Sequence, residues 1–93
     1  MNRWHQRIDN WLTNHLKLPS DVVLELPRVT TIGQFHAYIE NHQGLIIFNE
    51  DEIQLKMSKG KLKITGRNFV IKTLLPEEIL IEGIISSISY VTE

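Results

Sequence analysis

The chain has 93 residues, of which 42% are hydrophobic and 23% are charged, and its formal net charge is -1. This length and balance predict one folded domain with a small core, not a disordered segment. The net charge gives no general attraction to polyanions, and the absence of cysteine excludes disulfides and thiolate metal sites. No apolar run approaches the ~20 residues of a membrane-spanning helix. The N-terminus lacks the pattern of a signal peptide, so we expect a cytoplasmic protein.

The N-terminal segment has the periodicity of an amphipathic helix, which we predict over residues 1–18. Trp4, Ile8 and Trp11 recur at the spacing of one helix face. The helix is expected to end before Pro19, because the residue preceding a proline is disfavoured in the α conformation. Two interpretations of the tryptophan face stay open. It packs against the rest of the domain, or it docks on a partner protein or on the membrane interface, where tryptophan is favoured.

Residues 28–91 change to the period-two pattern of β-strands, with turn signals between the apolar segments. The predicted strands cover residues 29–32, 34–40, 45–48, 53–57, 61–65, 69–72, 79–82 and 84–91. They predict an antiparallel meander that closes as a small sandwich, roll or barrel. The continuous apolar run LIIF at 45–48 predicts a strand covered on both sides, the glycine at 66 begins a predicted turn, and Gly83 predicts a bulge or bend. The fold class is therefore mainly β with an N-terminal helix, in one domain.

The segment KMSKGKLKITGRNFVIK, residues 56–72, contains six of the chain's ten Lys and Arg residues. Strand alternation directs Leu62 and Ile64 toward the core and Lys61 and Lys63 toward solvent. Such a face is commonly only solvated, and its lysines also discourage edge-to-edge aggregation. The alternative is contact with anionic lipid or with an acidic partner, whereas nucleic acid is not predicted, because no aromatic residues interleave with the exposed lysines. The candidate contact residues of this basic segment are Lys56, Lys59, Lys61, Lys63 and Arg67.

Three side chains capable of acid–base chemistry lie at alternate positions of one predicted strand and therefore share one face of it. They are His36, Tyr38 and Glu40. Exposed strand polarity explains this set, and a ligand-binding or proton-transfer role is the alternative. The histidines lack the spacing of a metal site, and the chain lacks a nucleophile elbow, a phosphate loop and a dinucleotide glycine pattern. We therefore predict no enzymatic activity, no catalytic residues, no metal and no cofactor.

Three stretches of the sequence resemble the YabP/YqfC family of endospore-formation proteins, and most of all its YqfC branch. They are WLTNHLKLPSDVVLELPRVTTIG, IENHQGLIIF and KGKLKITGRNFVIKTLLPEEILIEGII, and together they cover nearly the whole chain. The order of motifs carries the resemblance: LPRVT, then IENH-x-G, then Gly-x-Leu-x-Ile-x-Gly, then a Pro-Glu-Glu connection into IEG.

The resemblance implies a small β-rich protein of the mother cell of a sporulating Firmicute, with no known enzymatic activity and no cofactor. It also implies a candidate partner, the larger membrane-associated sporulation protein YqfD, which is usually encoded beside this branch. The family has no established catalytic residues to carry over. The matching positions are core aliphatic residues and glycines that we interpret as turn residues, namely Gly44, Gly60, Gly66 and Gly83.

The expected function is a protein-interaction or structural module in the mother-cell cytoplasm, in peripheral contact with the forespore membrane. It would dock on a YqfD-like partner or associate with itself, through the helix face of Trp4 and Trp11 and through an exposed strand edge. The alternative is a peripheral module that binds anionic lipid through the basic segment.

Overall fold

A computed structural model describes residues 26–92, which form six β-strands in a single antiparallel sheet. The strands are β1 (Arg28–Ile32), β2 (His36–Glu40), β3 (Leu45–Phe48), β4 (Glu52–Lys56), β5 (Lys61–Leu74) and β6 (Glu78–Val91). Their order across the sheet is β1-β2-β6-β5-β4-β3. This confirms the predicted mainly-β, antiparallel architecture. The predicted helix over residues 1–18 lies outside the described residues.

The buried aliphatic side chains lie on one face of this sheet, the inner face. Residues opposite each other in an antiparallel pair project to the same side. Ile64 of β5 is opposite Ile53 of β4, and Ile39 of β2 is opposite Ile79 of β6. The buried hydrophobic core consists of Ala37, Ile39, Ile53, Leu55, Met57, Leu62, Ile64, Phe69, Ile79 and Ile81. Full burial of one aliphatic side chain contributes about 1.5–3 kcal/mol, so this face carries most of the driving force for folding.

A β-bulge in β5 keeps the apolar residues on the inner face. The buried positions change from even numbers, ending at Ile64, to odd numbers, beginning at Phe69. The register with β6 shifts between Arg67 and Val70, and Asn68 in between has a φ of 59°. An extra residue at a bulge reverses the alternation of side chains. The turn predicted to begin at the glycine at 66 is therefore wrong, because β5 runs through it as one strand.

Gly66 and Gly83 allow a close approach of β5 and β6 instead of making turns. A Cβ atom at Gly66 would lie 1.9 Å from the carbonyl oxygen of Ile84 and 2.8 Å from the ring of Phe69. A Cβ atom at Gly83 would lie 2.7 Å from the same ring. Phe69 is 3% exposed and packs over both glycines. The turn interpretation holds for Gly60, which lies in the β4–β5 connection with a φ of 85°.

The sheet formed by residues 26–92 is open, which corrects the expected closure into a sandwich, roll or barrel. The short pair β1–β2 attaches to the beginning of β6, because His36 is opposite Glu82. The short pair β4–β3 attaches to the beginning of β5, where Lys61 is opposite Val91 at the end of β6. The two pairs therefore extend from opposite ends of the long β5–β6 hairpin. Within the described residues, β1 and β3 are the outer strands and do not meet.

Candidate functional site

The strand β3 is an apolar edge of the described sheet. Its four side chains are Leu45, 37% exposed, Ile46, 48% exposed, Ile47, 39% exposed, and Phe48, 43% exposed. The prediction of a strand covered on both sides is wrong, because a continuous apolar run looks the same whether it is central in a sheet or at its edge. Consecutive exposed aliphatic and aromatic residues at a sheet edge are the usual mark of an interaction site or an aggregation liability.

The opposite edge, β1, has a different chemical character. Its sequence is RVTTI, with Arg28, Thr30 and Thr31 among its five residues, and Ile32 as an exposed aliphatic residue at its end. Charged and polar residues on a short edge strand discourage pairing with another chain. Of the two outer strands of the described sheet, β3 is therefore the one suited to accept a further strand.

A bulge at Ile46 sets the spacing of the β3 backbone. Leu45 is opposite Leu55 of β4, and Phe48 is opposite Ile53, so three steps along β3 match two steps along β4. Leu45 and Phe48 consequently lie as far apart as alternate residues of a regular strand, and both project toward the inner face.

The flanking hydrogen bonds show which backbone groups of β3 point away from β4. The carbonyl of Gly44 accepts a hydrogen bond from the Lys56 N–H at 2.8 Å, and the Asn49 N–H donates to the first residue of β4 at 2.9 Å. Because hydrogen-bonded and non-hydrogen-bonded positions alternate in an antiparallel pair, the N–H and C=O groups of Leu45 and Phe48 point toward the open side. The β3 edge thus combines apolar side chains with main-chain groups positioned for one further strand.

The structure confirms the predicted outward direction of the lysines on β4 and β5. Lys56 is opposite Lys61, and Lys63 is opposite Gln54, all on the face opposite the buried core. The Lys63 Nζ lies 3.8 Å from a carboxylate oxygen of Glu52. Three lysines and one carboxylate give the outer face of this hairpin a modest excess of positive charge. The directly opposite pair Lys56 and Lys61 is mildly destabilising.

The other two candidate contact residues of the basic segment, Lys59 and Arg67, lie apart from this face. Lys59 lies in the β4–β5 connection and lines a depression beside Tyr90. Arg67 lines a different depression together with Glu50 and Asp51. The acidic neighbours of Arg67 weaken its attraction for an anionic lipid headgroup. The predicted set of five basic residues is therefore a group of three with two outliers.

The predicted constellation of His36, Tyr38 and Glu40 lies on the outer face of β2, where β6 supplies carboxylate partners. The His36 Nε2 lies 3.2 Å from the Glu82 Oε2, and the Tyr38 hydroxyl donates a hydrogen bond to Glu78. That hydrogen bond, with burial and the nearby negative charge, raises the pKa of Tyr38 to about 12. Tyr38 is therefore a hydrogen-bond donor at neutral pH and is poorly suited to act as a base.

His36 and Tyr38 also line a shallow depression on this face. Thr30, Ile32 and Leu80 complete its lining, and Glu40 is not part of it. The three predicted residues thus share a face but not one cavity. The absence of enzymatic activity stays a prediction.

The sequence pattern missed the role of His42. Its side chain is 2% exposed, and its Nδ1 accepts a hydrogen bond from the Gly44 N–H at 3.0 Å. Its Nε2 is buried and has no hydrogen-bond partner. His42 fixes the connection that leads from β2 into β3, and a local signal for this was present in the histidine two residues before a glycine.

The remaining predictions concern the N-terminal helix face, membrane-spanning helices and metal sites. Trp4, Ile8 and Trp11 lie outside residues 26–92, so their exposure stays a prediction. The described part of the chain contains no helix that is long and apolar enough to cross a membrane. No group of three or more His, Asp or Glu residues within it is arranged to hold a metal ion.

The comparison with known proteins decides the family. Residues 25–93 match the model of the YabP family. The chain belongs to the YabP family. It is 50% identical over 91 residues, 98% of each chain, to a protein of Bacillus subtilis (strain 168) named "Uncharacterized protein YqfC". The matched residues 25–93 contain β1 to β6, so the β3 edge is part of the region that the family model describes.

Proposed function

We propose that this chain is a non-enzymatic protein-interaction module of spore formation that accepts a strand of another protein molecule at the β3 edge. The observation that carries the proposal is the uncharged strand Leu45–Phe48, with all four side chains exposed. In β-strand addition, main-chain hydrogen bonds supply affinity and alternate side chains supply specificity. The β3 edge offers both.

The biological setting of this proposal comes from the family. Membership of the YabP family, with the resemblance to its YqfC branch, supports a role in the mother cell of a sporulating bacterium. The partner we propose is a YqfD-like membrane-associated sporulation protein, which would bring the chain to the forespore membrane from the cytoplasmic side. The face of Trp4 and Trp11 is proposed as a second contact with that partner.

Co-purification from sporulating cells tests the role of β3. We expect a tagged chain to recover the YqfD-like protein and the Ile47→Lys variant to lose it, because a charge at the centre of β3 opposes docking of an apolar strand. Val70→Lys is the matched control, since Val70 is an exposed aliphatic residue of β5, 52% exposed, away from the edge. Equal recovery by both variants, each shown to be folded by circular dichroism, would contradict the proposal. A variant with Trp4→Ala and Trp11→Ala tests the second contact in the same way.

A second candidate function is peripheral binding of anionic lipid. It is supported by the common outward direction of Lys56, Lys61 and Lys63, since a basic residue near an anionic membrane contributes about 1 kcal/mol. The carboxylate of Glu52, 3.8 Å from the Lys63 Nζ, weakens the attraction of this face for anionic lipid. Co-sedimentation with liposomes containing or lacking acidic lipid, at low and high salt, tests this function with the triple Lys→Gln variant as control. Binding that is absent, or that does not weaken with salt, removes it.

A further inference from the structure

We propose that the strand that pairs with β3 belongs to a second copy of this chain, so that two copies join antiparallel across a twofold axis between Ile46 and Ile47. This inference rests on the proposed function, because it names the occupant of the same edge in the isolated chain; a YqfD-like strand would replace the second copy when it docks there. The β3 edge matches itself in three independent respects: the positions of its free backbone groups, its charges and its side chains.

The first respect is the spacing of the outward backbone groups. Leu45 and Phe48 point their N–H and C=O groups to the open side, and they are spaced as alternate residues of a regular strand. A twofold axis between Ile46 and Ile47 places Leu45 opposite Phe48 of the second copy, and places Phe48 opposite Leu45 of that copy. Each of these pairs can exchange two hydrogen bonds, as in a regular antiparallel ladder. The bulge therefore gives the edge a register that fits its own copy.

The second respect is the charge on either side of β3. Glu50 and Asp51 follow the strand, whereas Gln43 and Gly44 before it are uncharged. Antiparallel pairing places the acidic end of each copy beside the uncharged end of the other. Parallel pairing would align the acidic ends, and like charges opposite each other are destabilising. The charges therefore favour the antiparallel arrangement, which is the one that a twofold axis produces.

The third respect is the set of side chains brought together. Leu45 and Phe48 both project toward the inner face, because their partners on β4 are the buried Leu55 and Ile53. Across the axis they form two aliphatic–aromatic pairs, which continue the apolar face from one copy to the next. The outer strands of the resulting sheet are the two polar β1 strands. The association therefore closes at two copies, as an isologous interface does.

Molar mass by light scattering tests this inference on the full chain. We expect twice the chain mass of 10.8 kDa for the wild type and for the control Val70→Lys. Leu45→Lys and Phe48→Glu should each return the mass of one chain, because each places a charge opposite an apolar residue. Their equimolar mixture should regain the double mass, because the introduced lysine then faces the introduced glutamate across the axis. Both positions are exposed, at 37% and 43%, so the variants are expected to fold.

Several results would overturn the inference. A wild type that keeps the mass of one chain up to about 1 mM would do so, and so would a double mass that neither variant lowers. A mixture that stays at single mass would reject the register. The proposed function fails separately. If the wild type is monomeric but Ile47→Lys loses the YqfD-like protein, the function stands and self-pairing falls. If β3 variants abolish the double mass but keep that protein, self-pairing stands and partner docking at β3 falls.

Discussion

The contact between Gly66 and β6 is a place where one added methyl group should cost a large part of the stability. In Gly66→Ala the new Cβ atom would lie 1.9 Å from the carbonyl oxygen of Ile84 and 2.8 Å from the ring of Phe69. The φ of Gly66 is not in the left-handed region, so the cost is steric and not one of backbone strain. The nearest atom belongs to the backbone of the neighbouring strand and cannot swing away as the end of a flexible side chain could.

The size of the effect follows from what must move. Separating the two strands at this point by more than ~1 Å breaks about two ladder hydrogen bonds, worth about 1 kcal/mol each. Displacing the buried ring of Phe69 adds about 1–3 kcal/mol of repacking cost. The free energy of unfolding should therefore fall by about 3–5 kcal/mol, out of roughly 5–14 kcal/mol for a domain of this length.

Urea unfolding followed by circular dichroism measures this loss, with Gly33→Ala as the matched control. Gly33 has a φ of 56°, and a Cβ atom there would meet its nearest neighbour, Phe35, at 3.8 Å. Gly33→Ala should therefore lose only the ~1–2 kcal/mol of left-handed backbone strain. If Gly66→Ala is no more destabilised than this control, the close approach of β5 and β6 at Gly66 is refuted.

Three further predictions concern local hydrogen bonds. His42→Ala should lose about 1–3 kcal/mol, because the half-buried Gly44 N–H loses its acceptor. His42→Asn should lose less, because it keeps an acceptor two residues before that N–H. Equal losses in urea unfolding would argue against this bond. The hydrogen bond to Glu78 is the chief cause that raises the pKa of Tyr38 from 10.0 to about 12, so its contribution to folding stability is complete below pH 10 and is lost as the pH rises toward 12. The tyrosinate absorbance of the wild type minus that of Tyr38→Phe should therefore have its midpoint near pH 12. A midpoint near pH 10 in folded protein would disprove the contact. Asn49→Ala should lower the free energy of unfolding by about 1 kcal/mol, because the side-chain oxygen of Asn49 accepts hydrogen bonds from two backbone N–H groups, at 2.7 and 3.1 Å. Asn49→Asp keeps this acceptor and should stay near wild type. If Asn49→Asp lowers the melting temperature as much as Asn49→Ala does, the result counts against these hydrogen bonds.

The local pattern of the sequence was sufficient for the strands and for the direction of their side chains. Alternation along a strand is a property of neighbouring residues, so Leu62 and Ile64 could be placed in the core and Lys61 and Lys63 on the outer face from the sequence alone. The order of motifs was likewise sufficient for the family. The same local pattern could not reveal that two predicted strand pairs are single strands, because a bulge and a turn present similar residues.

Which strands lie side by side was decided only by the tertiary structure. β2 pairs with β6, about forty residues away in sequence, and this pairing supplies the carboxylates beside His36 and Tyr38. The same arrangement leaves the run at Leu45–Phe48 at the edge and not in the centre. The residues of a strand do not by themselves determine its place in a sheet, since that place depends on which distant segments of the chain pair with it. The sequence by itself thus determined an apolar β-strand at this position, and the sheet order made it a candidate binding edge.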